Sequence, residues 1–463
     1  MSRRRVAAAG LALALAAMGC AETDESDDVS APATTDAGTA VTTEPDGTET
    51  GDEPPSSDTG VENGGTEPAL QWALDYTGGS GGEATGEPIT LGIATNTSLF
   101  PQVGDGTDLA VDFVNEQLGG VGGRPIELIT CAAVAAEDGA SCGAQFANDD
   151  EVVLAMVGAM VAGNDEFYAA ISGITPGYGL GPLALGDYTT TDSVSYTSAA
   201  LGAGMGGGLF VAEDLQPEVA ALVVTDDAAG RGALSLLEPV LAERGVELVS
   251  VFVSSTATAP EIESAFRSTG ADSVDAILIG LFEQGCIAAY DALRNLGVDA
   301  LEQPVSTTTA CWNPAFQEHV ADSGEPGLFP NGWYFTNPLG YNLFEPDLES
   351  GIDTYRLVVD QAGAIEATTD VAAAGAFAGV LSMVRHLNAV DGDYSFDTLT
   401  AEIRDFEGPA MLQAGPITCG APPVFKGVCS TRVSAHRYID GGWENVRAGD
   451  DLIDITPLLI GEE

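Results

Sequence analysis

Between residues 89 and 306 the chain alternates short apolar runs with stretches whose apolar positions recur every three to four residues. The runs 89–94, 126–129, 152–157, 220–224, 248–253, 276–279 and 304–306 are mostly apolar and predict buried strands. The stretches 105–118, 141–148, 232–244, 259–269 and 284–296 predict helices; in the first, Leu109, Phe113, Val114 and Leu118 share one face. The glycine-rich stretch 119–123 stops that helix. Such alternation predicts α/β architecture with doubly wound parallel sheets, because each parallel pairing needs a crossover that a helix supplies. The pattern then changes. Residues 352–363, 371–387 and 396–406 predict successive helices. From Ile417 onward the reading is hairpin-like, with 433–439 and 443–446 flanking Asp440, Gly441 and Gly442. No short-period repeat is present.

The start of the chain follows another pattern. Arg3, Arg4 and Arg5 precede an apolar run from Val6 to Met18. That run is shorter than the ~20 residues a bilayer-spanning helix needs, and it reads as an export signal. Cys20, directly after Ala17, Met18 and Gly19, resembles the lipid-modified cysteine of bacterial lipoproteins. A plain export signal with an incidental cysteine is the simpler alternative. With a lipid on Cys20, the protein is expected outside the cytoplasm, anchored to the cell membrane. Residues 21–87 are rich in Asp, Glu, Thr, Ser, Gly and Pro and lack Lys and Arg, which predicts a disordered acidic linker. Random-coil scaling lets it hold the rest ~45 Å from the lipid. The island 71–76, containing Trp72, Leu74 and Tyr76, is either a helix packed on the folded part or a patch without a role.

Charge narrows the function. Seventy acidic against fifteen basic residues give a net charge of −55. Such a surface repels nucleic acid and anionic lipid, and suits a salty medium that screens it. The stretch 88–463 is too long for one core and predicts two lobes. Six cysteines remain beyond Cys20. An exported chain predicts three disulfides, and proximity favours Cys131 with Cys142, Cys286 with Cys311 and Cys419 with Cys429, although six cysteines allow fifteen pairings. His319, His386 and His436 are not at metal-ligand spacing, so neither metal nor other cofactor is expected.

The order of elements resembles the type I periplasmic binding proteins of the branched-chain amino acid and amide class, the receptors of ABC importers. The resemblance covers about 88–459. It is carried by the first strand with 119–128, by 224–232, by 264–278 and by Gly415, Pro416 and Ile417. Cys131 and Cys142 sit where some members carry a disulfide. The resemblance implies a binding protein and no enzyme, with two lobes, an N-terminal one of 88–200 and 336–409 and a C-terminal one of 201–335 and 410–463. Three crossings join them near 198–204, 333–336 and 409–415. A small polar solute such as an amino acid or amide would be held between the lobes, and a monomer would deliver it to an ABC permease complex in the membrane. The residues it points to are Met160, Ala162, Gly163 and Asn164 after the third strand, Ala184, Leu185 and Gly186 in the next loop, and Asp227, Phe282, Glu283, Thr308, Thr309 and Trp312 from the second lobe. Amino-acid binders carry an acid where this chain has Thr308, Thr309 and Ala310, so Glu283 or Asp227 would have to meet an ammonium group. Trp312 is either a stacking surface or a core aromatic.

One motif argues for different chemistry. Gly202, Gly204 and Gly207 fit G-x-G-x-x-G after the run 193–197, and Asp226 follows nineteen residues past Gly207. A dinucleotide-dependent oxidoreductase uses such glycines in a strand-to-helix turn. The packing alternative is that small residues let a helix approach its neighbours; with 58 glycines in the chain, chance matches are common. A ligand-sensing lipoprotein without transport is a third reading.

Overall fold

The structure is a computed structural model that describes residues 66–460 apart from residue 414. Cys20, the export signal and most of the linker lie outside the described residues. Helix α1 (Thr66–Thr77) corrects the expected extent of the linker and holds the island 71–76. Ala69 and Ala73 are buried, Trp72 stacks on Tyr76, and the Tyr76 hydroxyl accepts the Met411 N–H. These apolar residues fall on one helical face, so the island docks despite its acidic surroundings.

The first lobe follows. Strands β1 (Ile89–Thr95), β2 (Ile126–Ala132), β3 (Val152–Val157), β4 (Gly177–Gly179) and β5 (Ser193–Val194) form a parallel sheet in the order β2-β1-β3-β4-β5. The intervening helices are α2 (Pro101–Glu116), α3 (Ala136–Ala147), α4 (Asn164–Ile171) and α5 (Leu185–Thr189). Helices α2 and α3 begin earlier than their periodicity predicts, because glycines interrupt the apolar pattern where neighbours approach closely. A side chain at Gly106 would collide with the Ala373 carbonyl, and one at Gly139 with that of Gly163.

The second lobe begins with α6 (Ala199–Phe210). It continues through β6 (Val219–Thr225), α7 (Ala228–Glu243), β7 (Glu247–Val253), α8 (Ala259–Ser268), β8 (Ala276–Gly280), α9 (Glu283–Leu296), β9 (Val305–Thr308), α10 (Pro314–Asp322) and β10 (Tyr334–Asn337). The chain then returns to the first lobe with α11 (Ile352–Ala362), α12 (Val371–Ala389), α13 (Phe396–Arg404) and the hairpin β11 (Glu407–Pro409) and β12 (Pro416–Thr418). It ends in the second lobe with β13 (Arg432–Ile439), β14 (Gly442–Arg447), β15 (Ile453–Asp454) and α14 (Thr456–Ile460). The second sheet runs β14-β13-β10-β9-β8-β6-β7, with β15 beside β13; β13 joins it antiparallel.

The chain crosses three times between cores. Tyr196 packs in the first core and Leu201 in the second; Phe335 in the second and Leu339 in the first; Cys429 in the first and Val433 in the second. The last crossing corrects the expected one at 409–415. Ala410, Met411, Leu412 and Ile417 bury themselves in the first-lobe core, so 410–429 is not confined to the second lobe. Disulfides join Cys131 to Cys142, Cys286 to Cys311 and Cys419 to Cys429, the pairing that proximity favoured.

Candidate functional site

In open parallel sheets, ligand crevices form beyond the carboxyl ends of the strands. Here the strand ends of both sheets line one cavity of ≈ 260 Å³. The first lobe contributes Phe100 and Val103 from the start of α2, Ala159 after β3, Leu180 and Leu183 after β4, and Val371, Ala372 and Gly375 from α12. The second contributes Thr225 at the end of β6, Leu281 and Phe282 after β8, and Ser306, Thr307, Thr308, Thr309 and Ala310 along and after β9. Beneath these the cavity runs on between α6 and the sheet, past Ala203, Gly204 and Gly207 to Leu222 and Leu278.

The lobes touch across the cleft. Phe100 meets Phe282 edge to face at 5.3 Å, and Gln102 Nε2 donates to Glu283 Oε2 at 3.1 Å. Gln317 Nε2 donates to Thr369 Oγ1 at 2.8 Å. In the second lobe, the turn after β9 is fixed from below. Thr307 Oγ1 donates to the Ile279 carbonyl, the Thr308 hydroxyl accepts the Ala310 N–H, and the Cys286–Cys311 disulfide ties the turn to α9.

No charged side chain is among the residues lining the cavity. Helices α7 and α12 present their N-terminal ends to it, since Ala229 and Gly230 of the one and Val371 and Ala372 of the other are wall residues. Both ends are capped by aspartates. Asp227 Oδ1 accepts the Gly230 N–H at 2.7 Å; Asp370 Oδ1 accepts those of Ala372 and Ala373 at 2.8 and 3.0 Å. Burial pushes the Asp370 carboxyl up to about 6; its two backbone donors oppose this, while Glu283 and Asp105 add to it.

Of the residues named from sequence, Phe282, Thr308 and Thr309 line the cavity. Glu283 lies at the interlobe contact and Asp227 caps α7. The others serve local structure. Met160 is packed in a small core with Phe167. Ala162 stands in the half-buried loop before α4, and Gly163, at φ 82°, caps that helix. Asn164 Nδ2 donates to both Asp187 carboxylate oxygens, at 2.9 and 3.0 Å. Asp187 also accepts the Tyr168 hydroxyl and the N–H groups of Leu183 and Ala184, and burial pushes its carboxyl up to about 6 against these donors. Ala184 caps α5, Leu185 is exposed, and Gly186 lies against Asp165. Trp312 is a core aromatic: it is 1 % exposed and stacks on Trp443 at 4.4 Å and Phe344 at 5.4 Å.

Sequence reasoning missed Phe100, Val103, Val371, Ala372 and the α6 wall. Phe100 and Val103 had a usable signal, apolar residues following the first strand. Of the α6 wall, only Gly204 and Gly207 stood out, within a dinucleotide-like motif; the rest had no signal, because a Gly-Ala-Met helix shows no amphipathic period. The dinucleotide reading is corrected here. Gly202, Gly204 and Gly207 lie within α6 and not in a strand-to-helix turn, and Asp226 is held by Arg231 at the surface. Among the described residues no cluster of three metal-ligating side chains occurs, and no helix is long and apolar enough to cross a membrane.

A family model described as periplasmic binding protein matches residues 92–420. The chain belongs to the periplasmic binding protein family. Its fold is the type I form, with two α/β lobes. Among solved structures it is similar to a solute-binding protein of an ABC transporter from Rhodopseudomonas palustris in complex with 4-hydroxybenzoate. The two share 15% identity at a TM-score of 0.65, over 80% of this chain and 98% of the other. A leucine-binding protein from Thermotoga maritima is similar at 14% identity and TM-score 0.63, over 79% and 99%. An ABC transporter substrate-binding protein from Sphaerobacter thermophilus is similar at 17% and 0.63, over 80% and 98%. No curated protein matches the chain in sequence. Members of this periplasmic binding protein family are extracytoplasmic.

Proposed function

We propose that this protein is the lipid-anchored receptor of an ABC importer, working as a monomer outside the cytoplasm. It closes two lobes on a small solute, alters nothing in it, and presents it to a membrane permease. One observation carries the reading: a single cavity is walled by the strand ends of both lobes, so movement about the three crossings opens or shuts it. Its lining offers no nucleophile–base pair and no paired carboxylates for bond breaking. The similar proteins whose names include leucine and 4-hydroxybenzoate support a small organic solute.

The test is small-angle scattering and thermal unfolding of the purified protein against a panel of amino acids, amides, aromatic acids and neutral alcohols and phenols. A bound solute should shrink the radius of gyration and raise Tm by stabilising the folded state by RT ln(1 + [L]/Kd). Turnover of a solute, or a Tm gain with no change in scattering, contradicts the proposal. Uptake by cells carrying the permease separates transport from sensing.

A further inference from the structure

We infer that the solute is an uncharged molecule with an apolar body, whose oxygen function sits at the Thr308–Thr309 turn and whose apolar end lies beneath α6. This rests on the receptor reading and names its substrate class, in place of the polar solute expected from sequence.

The absence of charge among the wall residues comes first. An amino acid brings an ammonium and a carboxylate, and an aromatic acid brings a carboxylate. A buried ion without a partner stays in water or neutralises. The usual substitute for a cationic side chain is a helix N-terminus; at the wall those of α7 and α12 are already taken, that of α9 carries Glu283 in its first turn, and that of α2 opens with Pro101, which has no N–H. Asp227 and Asp370 accept the first free amides of α7 and α12, and their carboxylates repel an arriving anion. The carboxylates nearest the wall are already engaged, those of Asp227 and Asp370 by backbone N–H groups and that of Glu283 by Gln102, so none is offered to an ammonium group.

The shape of α6 comes second. A Cβ on Gly206 would lie 2.8 Å from Val433, and one on Gly208 2.8 Å from Leu237, so helix packing demands those glycines. At Gly204 and Gly207 the nearest atom to an added Cβ is 3.5 Å away. Those two positions are cavity wall, and their bareness leaves volume in front of Leu222 and Leu278. A dry apolar cavity of about 150 Å³ accepts benzene; one of ≈ 260 Å³ takes a ring or branched chain with a short polar end.

The polar end of the cavity comes third. The Thr308 hydroxyl accepts the Ala310 N–H and keeps its hydrogen to donate, and Ser306 and Thr309 add neutral hydroxyls beside it. Such groups suit an alcohol, phenol or carbonyl oxygen.

The experiment compares probes of equal body and different charge by calorimetry and thermal shift. Benzyl alcohol is set against benzoate, and 4-methylpentan-1-ol against leucine. In each pair the neutral probe should bind at least tenfold tighter. Gly204→Leu, which fills the chamber, should weaken neutral binding at least tenfold; Gly232→Leu, on α7 with nothing within 4 Å of an added Cβ, should not. Unliganded melting of both variants checks that they fold. A charged probe that binds as tightly as its neutral partner and closes the lobes in scattering overturns the solute class and leaves the receptor standing. No neutral binding, or neutral binding untouched by Gly204→Leu, also overturns the class. Failure of every probe to close the lobes removes the receptor reading as well.

Discussion

The two lobes repeat one architecture but use their strand ends differently. In the first, the loops after β3 and β4 are braced by a buried polar knot: Asp187 holds Asn164, Tyr168 and two backbone amides, and none of the three side chains lines the cavity. In the second, the ends of β8 and β9 present Phe282, Thr308 and Thr309 to the cleft, with a hollow beneath α6 behind them. The first lobe is a stiff wall and the second a socket. Where strand-end polar groups satisfy one another they specify structure; where they stay open they are left for a ligand.

Removing the knot should have the largest effect. Asp187→Ala strips the Tyr168 hydroxyl and the Leu183 and Ala184 N–H groups of this acceptor and leaves the Asn164 amide only the Met160 carbonyl at 3.4 Å, and should cost about 3–5 kcal/mol in denaturant unfolding. Once folded at low temperature, the variant should keep most of its affinity; a loss of binding with unchanged stability would place Asp187 in the socket. Trp312→Ala should cost about 3–5 kcal/mol of stability by opening the aromatic core. A selective loss of affinity there would revive its stacking role.

The disulfides sharpen the contrast. Cys286→Ser with Cys311→Ser should lower stability by about 2–4 kcal/mol and also weaken binding, because the bridge secures the Thr308–Thr309 turn. Removing Cys131–Cys142, which joins β2 to α3, should lower stability by a similar amount and leave affinity unchanged.

Proton linkage has a smaller effect. Asp187 and Asp370 are pushed up to about 6 from an ordinary 3.8, so the folded chain holds these protons more tightly than the unfolded chain. Their ionisation cost is absent below about pH 4, grows between 4 and 6, and is full above 6. Asp370→Asn keeps a capping oxygen and removes the charge. Its Tm relative to the parent should therefore be higher at pH 7.5 than at pH 4.5; an equal difference at both would show that burial of the charge costs nothing. Gln102→Ala should have the smallest effect. It removes one half-exposed interlobe hydrogen bond, worth about 0.5–1.5 kcal/mol, and should weaken closure by that amount with only a small fall in the unliganded Tm.

Sequence showed the alternation of strands and helices because the central parallel strands had to be apolar on both faces. It showed Phe282, Thr308 and Thr309 because they directly end or follow such strands. It hid α1, whose docking face is embedded in linker-like composition. It hid the return of Ala410, Met411 and Leu412 to the first lobe, since a short apolar patch carries no address. It pointed to Asn164 as a ligand contact because a polar residue after a strand looks free; Asp187, twenty-three positions on, claims its amide. It hid the hollow under α6 most completely, because missing side chains leave no mark except glycine.

The most direct measurement is a crystal structure of the protein with benzyl alcohol bound. The expected result is one ligand enclosed between Phe100 and Phe282, with its oxygen function at Thr308 or Thr309 and the rest beneath Gly204 and Gly207. A ligand on the first-lobe wall near Asn164 and Asp187, or one held by the second lobe alone with no first-lobe residue in contact, would contradict the shared socket.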